Sequence, residues 1–311
     1  MIDRDGFVRP EKQDENMLAL KNQKRKVVFD GKYPYRPRNI FFRAWAAFFR
    51  GLAICVFNPT MVFLNGMYTF GNENRKKMRG KGFVMTCNHV SMVDDVAIGS
   101  NIFCWRKMYF TTLEQNIKRP MIGFFLRSLG GIPIPVQSIS GTKKFNDDVS
   151  YLLQHNKPVL YNPEGSLWPK YRGIREYKRG AFSMAVKNKV PVMPIVALFK
   201  RKQKKNGKFK YKIYFALCKP VEIDKTLTPR QASEKLRVQV EETTRRVARE
   251  WYEIQDCGFG DEKFTRELVP NKNLFFVDDQ WIVTINSHET KRAKQGIKNK
   301  KIKEHLLTNK A

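Results

Sequence analysis

Metal-binding and disulfide patterns are missing from this 311-residue chain. It has four histidines, and its five cysteines include neither a CxxC pair nor a Cys/His cluster. A zinc site is therefore not expected, and neither is a disulfide framework. An odd number of scattered cysteines is typical of a reducing, intracellular compartment. No apolar signal-peptide core follows the first methionine.

Acidic residues are also few relative to basic ones. The chain has 59 Lys and Arg against 29 Asp and Glu, which gives a net charge of +30. This excess predicts an anionic partner, and a phospholipid surface, an acidic carrier, a phosphorylated substrate and a nucleic acid all remain candidates. The hydrophobic content of 42% allows one large domain with extensions.

The N-terminal part divides into a basic polar segment, residues 1–38, and an apolar segment, residues 39–72. The apolar segment is long enough to span a bilayer, but Pro59 interrupts it, and Arg43 and Arg50 lie among its aromatic residues. Mixed aromatic and basic residues favour two short helices that dip into one leaflet. A full span and a helix pair buried in protein are the alternatives.

Residues 73–256 alternate between apolar strand patterns and amphipathic helix patterns, which predicts an α/β fold with a mixed, mostly parallel sheet flanked by helices. Two prolines, Pro191 and Pro194, place the strand at 190–198 near a sheet edge or a bulge. Residues 257–311 form a C-terminal extension, with a hairpin expected around Asp278 and Asp279 and a Lys-rich tail. Strands are predicted at 83–87, 107–111, 158–161, 190–198, 209–216 and 219–223, and helices at 93–103, 119–127, 142–156, 180–188 and 228–255.

A candidate proton-transfer site follows the first strand of this region. His89 stands at the strand end, and Asp94 follows five residues later. An imidazole can accept a proton from a hydroxyl, and a carboxylate on its other nitrogen stabilises the imidazolium. Five residues turn an ideal helix by about 500°, so the two side chains can meet only if His89 precedes the helix and the chain bends. Asn88 or Ser91 could cap that helix. The alternative is an ordinary surface or core histidine.

A second candidate segment follows the strand at 158–161. Glu164 and Gly165 lie on a turn at its carboxyl end, where sites form in parallel sheets, so Glu164 could accept hydrogen bonds from a polyol. Arg175, Lys178 and Arg179 then precede a helix, and cations at a helix start favour a phosphate. A surface turn and a solvated basic run are the alternatives for these two stretches.

The order of these parts resembles the 1-acylglycerol-3-phosphate acyltransferase family of glycerolipid acyltransferases, to which tafazzin is related. The resemblance implies that His89 is the general base of an Asn-His-x4-Asp motif, that Asp94 orients it, and that Glu164 and Gly165 contact the glycerol backbone. The matching blocks are Asn88 and His89 with Asp94, then residues 118–132, 163–166, 178–180 and 190–194.

Two positions depart from the family pattern. Residues 134–137 (Ile-Pro-Val-Gln) stand where many members have phosphate-binding arginines, and Asn162 stands where phenylalanine is usual. Phosphate binding would then fall to Arg175, Lys178 or Arg179.

The resemblance implies an enzyme that makes phosphatidate by moving a fatty acyl chain from acyl-CoA or acyl-carrier protein to 1-acylglycerol 3-phosphate. It also implies association with the cytoplasmic face of a phospholipid membrane and no cofactor or metal. Glycerol 3-phosphate and another lysophospholipid are the alternative acceptors. A transacylase that, like tafazzin, uses no coenzyme is a further alternative. A non-catalytic basic protein that binds membrane or nucleic acid is the rival from another class, but no nucleic-acid-binding motif is present.

Overall fold

The computed structural model describes residues 7–12, 15, 17, 27–64, 66–103, 108–203, 209–253 and 274–283. The basic stretch at 21–26, the Lys-rich tail and most of the C-terminal extension lie outside these residues. The predicted division into four segments stays a prediction.

Helices and strands alternate along the described chain. The helices are α1 (Ile40–Pro59), α2 (Asn72–Lys77), α3 (Asp94–Ala97), α4 (Glu114–Ile117), α5 (Pro120–Leu129), α6 (Ile139–Gln154), α7 (Gly180–Asn188) and α8 (Pro229–Tyr252). The strands are β1 (Tyr68–Phe70), β2 (Val84–Cys87), β3 (Tyr109–Leu113), β4 (Gly131–Ile134), β5 (Val159–Tyr161), β6 (Val192–Gln203), β7 (Phe209–Leu217), β8 (Leu274–Val277) and β9 (Gln280–Val283).

The main sheet has seven strands in the order β1-β7-β6-β2-β5-β3-β4. Neighbouring strands are parallel throughout, apart from the antiparallel pair β6 and β7. The predicted mixed, mostly parallel α/β sheet is therefore confirmed. In such a sheet the carboxyl ends of β2 and β5, which are neighbours, lie at the same edge.

The two faces of the sheet are covered by different helices, because side chains alternate along each strand. Met193 and Ile195 of β6 pack in one buried cluster with Ala53 of α1 and Ala97 of α3. The alternate residues of the same strand lie in a second cluster with helices α6, α7 and α8. Members of that second cluster are Val192, Val196, Val149, Phe182 and Leu236.

The predicted edge position of the strand at 190–198 is wrong, because β6 lies inside the sheet between β7 and β2. The carbonyl of Pro194 accepts a hydrogen bond from the Cys218 amide at 2.9 Å, so the imide nitrogen of Pro194 also faces the β7 side. Pairing with β7 begins only at Ile195. The missing N–H therefore falls at the end of the β6–β7 pairing, beyond the regular ladder, where the strand tolerates a proline.

The apolar N-terminal segment forms one helix and not the predicted pair. Helix α1 runs through Asn58 to Pro59 and continues as a π-helical turn, Thr60–Leu64. Pro59 has no N–H to donate within a helix, and it lies at the last residue of α1, directly before this wider turn. By length and composition alone, Ile40–Phe63 could cross a membrane, and it is the one such segment in the described chain.

The predicted C-terminal hairpin is confirmed. Strands β8 and β9 pair antiparallel, and Asp278 and Asp279 between them have φ angles of 54° and 62°. Two consecutive residues with positive φ match the twist of a hairpin, and aspartate tolerates this conformation. The hairpin packs on α8 through Trp281, whose ring centroid lies 4.9 Å from that of Trp251.

Candidate active site

His89 and Asp94 meet at the carboxyl end of β2. His89 precedes the helix, since α3 begins at Asp94, and the Nδ1 atom of His89 lies 3.4 Å from Oδ2 of Asp94. The bend that the five-residue spacing requires is therefore present, and that geometric prediction is confirmed. The contact through Nδ1 leaves the Nε2 atom for another partner.

The Asp94 carboxylate shapes the turn that carries His89. Its Oδ2 atom accepts hydrogen bonds from the backbone amides of Val90 at 2.9 Å and Ser91 at 2.8 Å. Because Asp94 is fully buried, these amides replace the water that the carboxylate loses. The turn and the imidazole are therefore oriented by the same carboxylate.

Asn88 holds the turn against the sheet and does not cap the helix. Its side-chain amide donates to the Ala197 carbonyl at 3.0 Å, and its Oδ1 accepts the Ala197 amide at 2.7 Å. The hydroxyl of Ser91 accepts the Val93 amide at 3.3 Å, just before α3 begins. The predicted capping role thus fails for both residues, since α3 has Val93 at its N-cap and no side-chain cap, and Asn88 binds a strand instead.

The environment of His89 favours the protonated imidazole. Burial acts to lower the pKa of His89, but the hydrogen bond to Asp94 and the charges of nearby carboxylates outweigh it. The pKa of His89 therefore lies above its ordinary value of 6.5. An imidazolium formed here by proton transfer would be stabilised in the same way.

Glu164 connects the second turn to the first. It follows β5, the neighbour of β2, and its Oε2 atom accepts the backbone amide of His89 at 3.1 Å. Its other partner is Arg175, whose backbone amide donates to Oε1 at 3.0 Å and whose Nη2 lies 2.6 Å from Oε2. Burial raises the pKa of Glu164, and Arg175 opposes that shift.

Glu164 and Arg175 form a buried ion pair. Only 2% of Glu164 and 3% of Arg175 are exposed, and the guanidinium of Arg175 also donates to the hydroxyl of Ser166. The guanidinium lies 4.7 Å from the centre of the Trp168 ring, and the Trp168 amide donates to the His89 carbonyl at 3.1 Å. This geometry favours a role in positioning His89, while direct contact of either residue with substrate stays a prediction.

Gly165 brings a lysine close to the second turn. Its φ of +77° is a left-handed conformation that glycine adopts readily, and a Cβ placed there would lie only 2.9 Å from Nζ of Lys178. The Gly165 amide donates to the Asn162 carbonyl at 3.0 Å and is therefore engaged within the turn. Lys178 is exposed and pairs with no carboxylate among the described residues.

The three predicted phosphate-binding cations separate in the structure. Arg175 is buried against Glu164, and the exposed Arg179 pairs with Glu234 of α8 through a 3.1 Å contact from Nε to Oε2. Lys178 remains as the cation beside Gly165. The three lie close in sequence but point to different partners.

Sequence reasoning missed a second carboxylate at the site. Asp95 accepts a hydrogen bond at 3.1 Å from the side-chain amide of Asn162, the residue that departs from the family pattern. Burial raises the pKa of Asp95, although the charge of His89 and the hydrogen bond from Asn162 act to lower it. The sequence signal that could have indicated this carboxylate was the pair of consecutive acidic residues, Asp94 and Asp95.

Among the described residues, no three His, Cys, Asp or Glu side chains are grouped as metal ligands.

Part of this chain matches a known family model. Residues 69–198, which hold both turns, match the family model described as Acyltransferase. We call residues 69–198 the acyltransferase segment, since they are similar to this family.

One curated protein and one solved structure are similar to parts of this chain. A 1-acyl-sn-glycerol-3-phosphate acyltransferase of Chlamydomonas reinhardtii is 34% identical over 120 residues, which are 38% of this chain and 34% of that protein. The match thus spans about a third of that relative's length. The crystal structure of the 1-acyl-sn-glycerophosphate acyltransferase PlsC from Thermotoga maritima aligns with a TM-score of 0.45 at 18% identity, covering 69% of this chain and 96% of that one.

We predict that the buried pair Glu164 and Arg175 stabilises the acyltransferase segment. Glu164→Ala would leave the Arg175 guanidinium buried without its carboxylate and should lower the free energy of unfolding by about 3–5 kcal/mol. Equilibrium unfolding in urea, with mild detergent present, measures this. The double variant Glu164→Ala, Arg175→Ala should lose less than the sum of the single variants, since they remove one shared interaction.

The exposed pair Arg179 and Glu234 provides the matched control. Arg179→Ala should change the free energy of unfolding by less than about 1 kcal/mol. If Glu164→Ala were no more destabilising than Arg179→Ala, the pair would not hold the two turns together.

Proposed function

We propose that this protein transfers a fatty acyl chain from an acyl thioester, acyl-CoA or acyl-carrier protein, to the free hydroxyl of 1-acylglycerol 3-phosphate. The observation that supports this most is the pair His89 and Asp94 at the carboxyl end of β2, inside the segment that matches the acyltransferase family. The proposal requires no metal and no cofactor. It includes association with the cytoplasmic face of a membrane, which the apolar α1 and the scattered cysteines support.

In the proposed reaction, His89 acts as the general base. Asp94 holds the Nδ1 atom, so Nε2 accepts the proton of the acceptor hydroxyl. The hydroxyl oxygen attacks the thioester carbonyl, a new C–O ester bond forms, and the C–S bond breaks. The departing thiolate takes the proton back from His89. Asp94 stabilises the imidazolium that exists between the two transfers.

The acceptor phosphate is assigned to Lys178 in this proposal. The Nζ atom of Lys178 lies over the Gly165 turn, whereas Arg175 and Arg179 are engaged by Glu164 and Glu234. The turn also carries Glu164, which binds the His89 amide, so the phosphate site and the base lie on connected segments. Glycerol 3-phosphate and other lysophospholipids share the phosphate chemistry and belong in the same acceptor panel.

The first prediction from this mechanism concerns the base. His89→Ala should reduce acyl transfer from a labelled acyl thioester to lysophosphatidate by roughly 10²–10⁴-fold, because the hydroxyl loses its proton acceptor. Transfer is measured in detergent with the full chain. His155→Ala is the control, since His155 is an exposed histidine at the end of α6 and should leave the rate unchanged. Equal rates for wild type and His89→Ala would refute the mechanism.

The second prediction concerns pH. Only the neutral imidazole can accept the proton, so the value of kcat/KM should rise with pH through the pKa of His89, which lies above the ordinary 6.5. Asp94→Asn removes the hydrogen bond and charge that raise this pKa, so the inflection should move to lower pH as the rate falls. Rate profiles of wild type and Asp94→Asn test this, and an inflection that stays in place would show that another group titrates.

The third prediction separates phosphate binding from chemistry. Lys178→Ala should raise KM for lysophosphatidate about tenfold, since a charge-assisted contact is worth about 1.5–3 kcal/mol. The same variant should hardly affect transfer to a monoacylglycerol, which lacks the phosphate. Lys187→Ala is the control, because Lys187 lies on α7 and pairs with Asp147 at 3.8 Å. An equal change for both acceptors would contradict the assignment.

A further inference from the structure

A segment near the start of the chain packs on a loop of the candidate site. We call this segment the N-terminal strap, and its described residues are 7–12, 15 and 17. The loop that it contacts, residues 168–171, we call the Trp168 loop. The connection between β5 and α7, residues 162–179, contains no helix or strand, so the conformation of the Trp168 loop depends on contacts with other segments. The strap provides such contacts, although it lies outside the acyltransferase segment.

The Trp168 loop runs beside the turn that carries His89. The backbone amide of Trp168 donates to the carbonyl of His89 at 3.1 Å, and the backbone amide of Lys170 donates to the carbonyl of Val90 at 2.8 Å. Two consecutive residues of the His89 turn are therefore hydrogen-bonded to the loop. A movement of the loop would move the backbone that carries the proposed base.

Trp168 is the residue through which the loop contacts the strap most directly. Its indole N–H donates to the backbone carbonyl of Glu15 at 2.8 Å, and Trp168 is only 4% exposed. Its ring also lies 4.7 Å from the guanidinium carbon of Arg175 and 5.1 Å from the ring of Tyr171. A buried tryptophan needs a hydrogen-bond partner for its N–H, and the strap supplies that partner. The strap, the loop and the buried ion pair of the site thus meet at one side chain.

Arg9 attaches the strap at a second point. Only 5% of Arg9 is exposed, which is unusual for a cationic residue. Its guanidinium carbon lies 4.8 Å from the centre of the Phe7 ring and 5.4 Å from the centre of the Tyr171 ring. The Nζ atom of Lys170 lies 5.3 Å from the centre of the same Phe7 ring. Contacts between cations and aromatic rings become stronger when they are removed from water, so strap and loop hold each other through both kinds of side chain.

The strap has an inner and an outer side, as a docked segment does. Val8 is 68% exposed, whereas its neighbour Arg9 is buried. Glu15 is exposed, but its backbone carbonyl is engaged by Trp168. A terminal segment that lay loosely on the surface would keep both its cations and its carbonyls in water. The burial pattern therefore indicates a specific docking of the strap on the Trp168 loop.

We infer that the N-terminal strap holds the Trp168 loop against the His89 turn and thereby positions His89 for proton transfer. Trp168 and Arg9 are positioning residues in this arrangement, because they act through the backbone of that turn. A misplacement of a catalytic group by about 1 Å can cost about 100-fold in rate, so the strap would govern turnover more than substrate binding. The inference rests on the proposed function for the role of His89, so one of its two tests measures His89 without turnover.

The first test measures acyl transfer by two docking variants of the full chain. Trp168→Phe keeps an aromatic ring and removes the N–H that reaches Glu15, and Arg9→Leu removes the buried cation of the strap. Each variant should lower kcat about tenfold and leave KM for lysophosphatidate within about twofold, because the orientation of the base is lost while substrate contacts remain. The double variant should be little slower than the slower single variant, because both changes undo the same docking.

Two variants away from the strap are the matched controls. Trp281→Phe removes the indole N–H of another buried tryptophan, which donates to the Val247 carbonyl at 3.0 Å. Arg230→Leu removes an exposed arginine in the first turn of α8. Both controls should keep kcat within about twofold of wild type. Urea unfolding of all variants shows how much stability the loss of an unrelated buried tryptophan costs.

The second test follows the pKa of His89 by NMR of the full chain with isotope-labelled histidine. The chain has four histidines, and the His89→Ala variant identifies the His89 signal. The charged groups that face His89 are Asp94 and Asp95 of α3 and Glu164, which is paired with Arg175, and neither docking variant changes them. A loosened turn weakens the contact between His89 and Asp94, which raises this pKa. The pKa of His89 should therefore fall in both docking variants and stay in place in both controls.

Three results would overturn the inference. An unchanged kcat and an unchanged pKa of His89 in both docking variants would show that the strap does not act on the base. A raised KM at constant kcat would show that the strap contacts substrate instead. Equal effects of Trp168→Phe and Trp281→Phe would reduce the role of Trp168 to general stability. If the wild type transfers no acyl chain, the proposed function fails, and the pKa of His89 then decides the inference alone.

Discussion

The buried carboxylate of Glu164 joins the two turns of the candidate site, which are 75 residues apart in the chain. It accepts hydrogen bonds from the backbone amide of His89 and from both the amide and the guanidinium of Arg175. The segments around His89, Glu164 and Arg175 therefore meet at one side chain. A buried charge without partners would be very unfavourable, which means that these segments form the pocket around Glu164 together. The position of the His89 turn relative to the sheet depends on this arrangement.

Asp94 performs a similar task over a shorter distance. Its carboxylate closes the turn through the amides of Val90 and Ser91 and contacts Nδ1 of His89. The turn conformation and the tautomer of the imidazole are consequently set together. Asn88 adds a third constraint, because the nitrogen and the oxygen of its side-chain amide both form hydrogen bonds with the backbone of Ala197 in β6. The proposed base is thus held by local and distant contacts, which suits a group that must meet a hydroxyl in one orientation.

The two faces of the sheet serve different purposes in this architecture. Helices α6, α7 and α8 cover one face with a closed, water-excluding core. The other face is covered by α3 and by α1, whose outer side is itself apolar. A helix that is buried on one side and apolar on the other can connect a protein core to a lipid surface. In the proposed acyl transfer, this arrangement would bring a lipid acceptor to the side of the sheet where the His89 turn lies.

Local sequence patterns were sufficient to predict the alternation of strands and helices, the hairpin at Asp278 and Asp279, and the meeting of His89 with Asp94. These features depend on periodicity, on turn residues and on chain geometry over a few residues. Each of these properties is contained in a short stretch of sequence. The acyltransferase resemblance of about residues 83–198 was visible for the same reason, because it rests on short motifs in a fixed order.

Only the tertiary structure decided the interior position of β6, the continuity of α1 through Pro59, the burial of Arg175 and the placement of Lys178 over Gly165. Each of these depends on which distant element packs against the residue. A basic run at 175–179 looks uniform along the chain, but its three cations turn to a buried acid, a neighbouring turn and another helix. Burial and partner choice are properties of the assembled fold, so they could not be read from the local pattern.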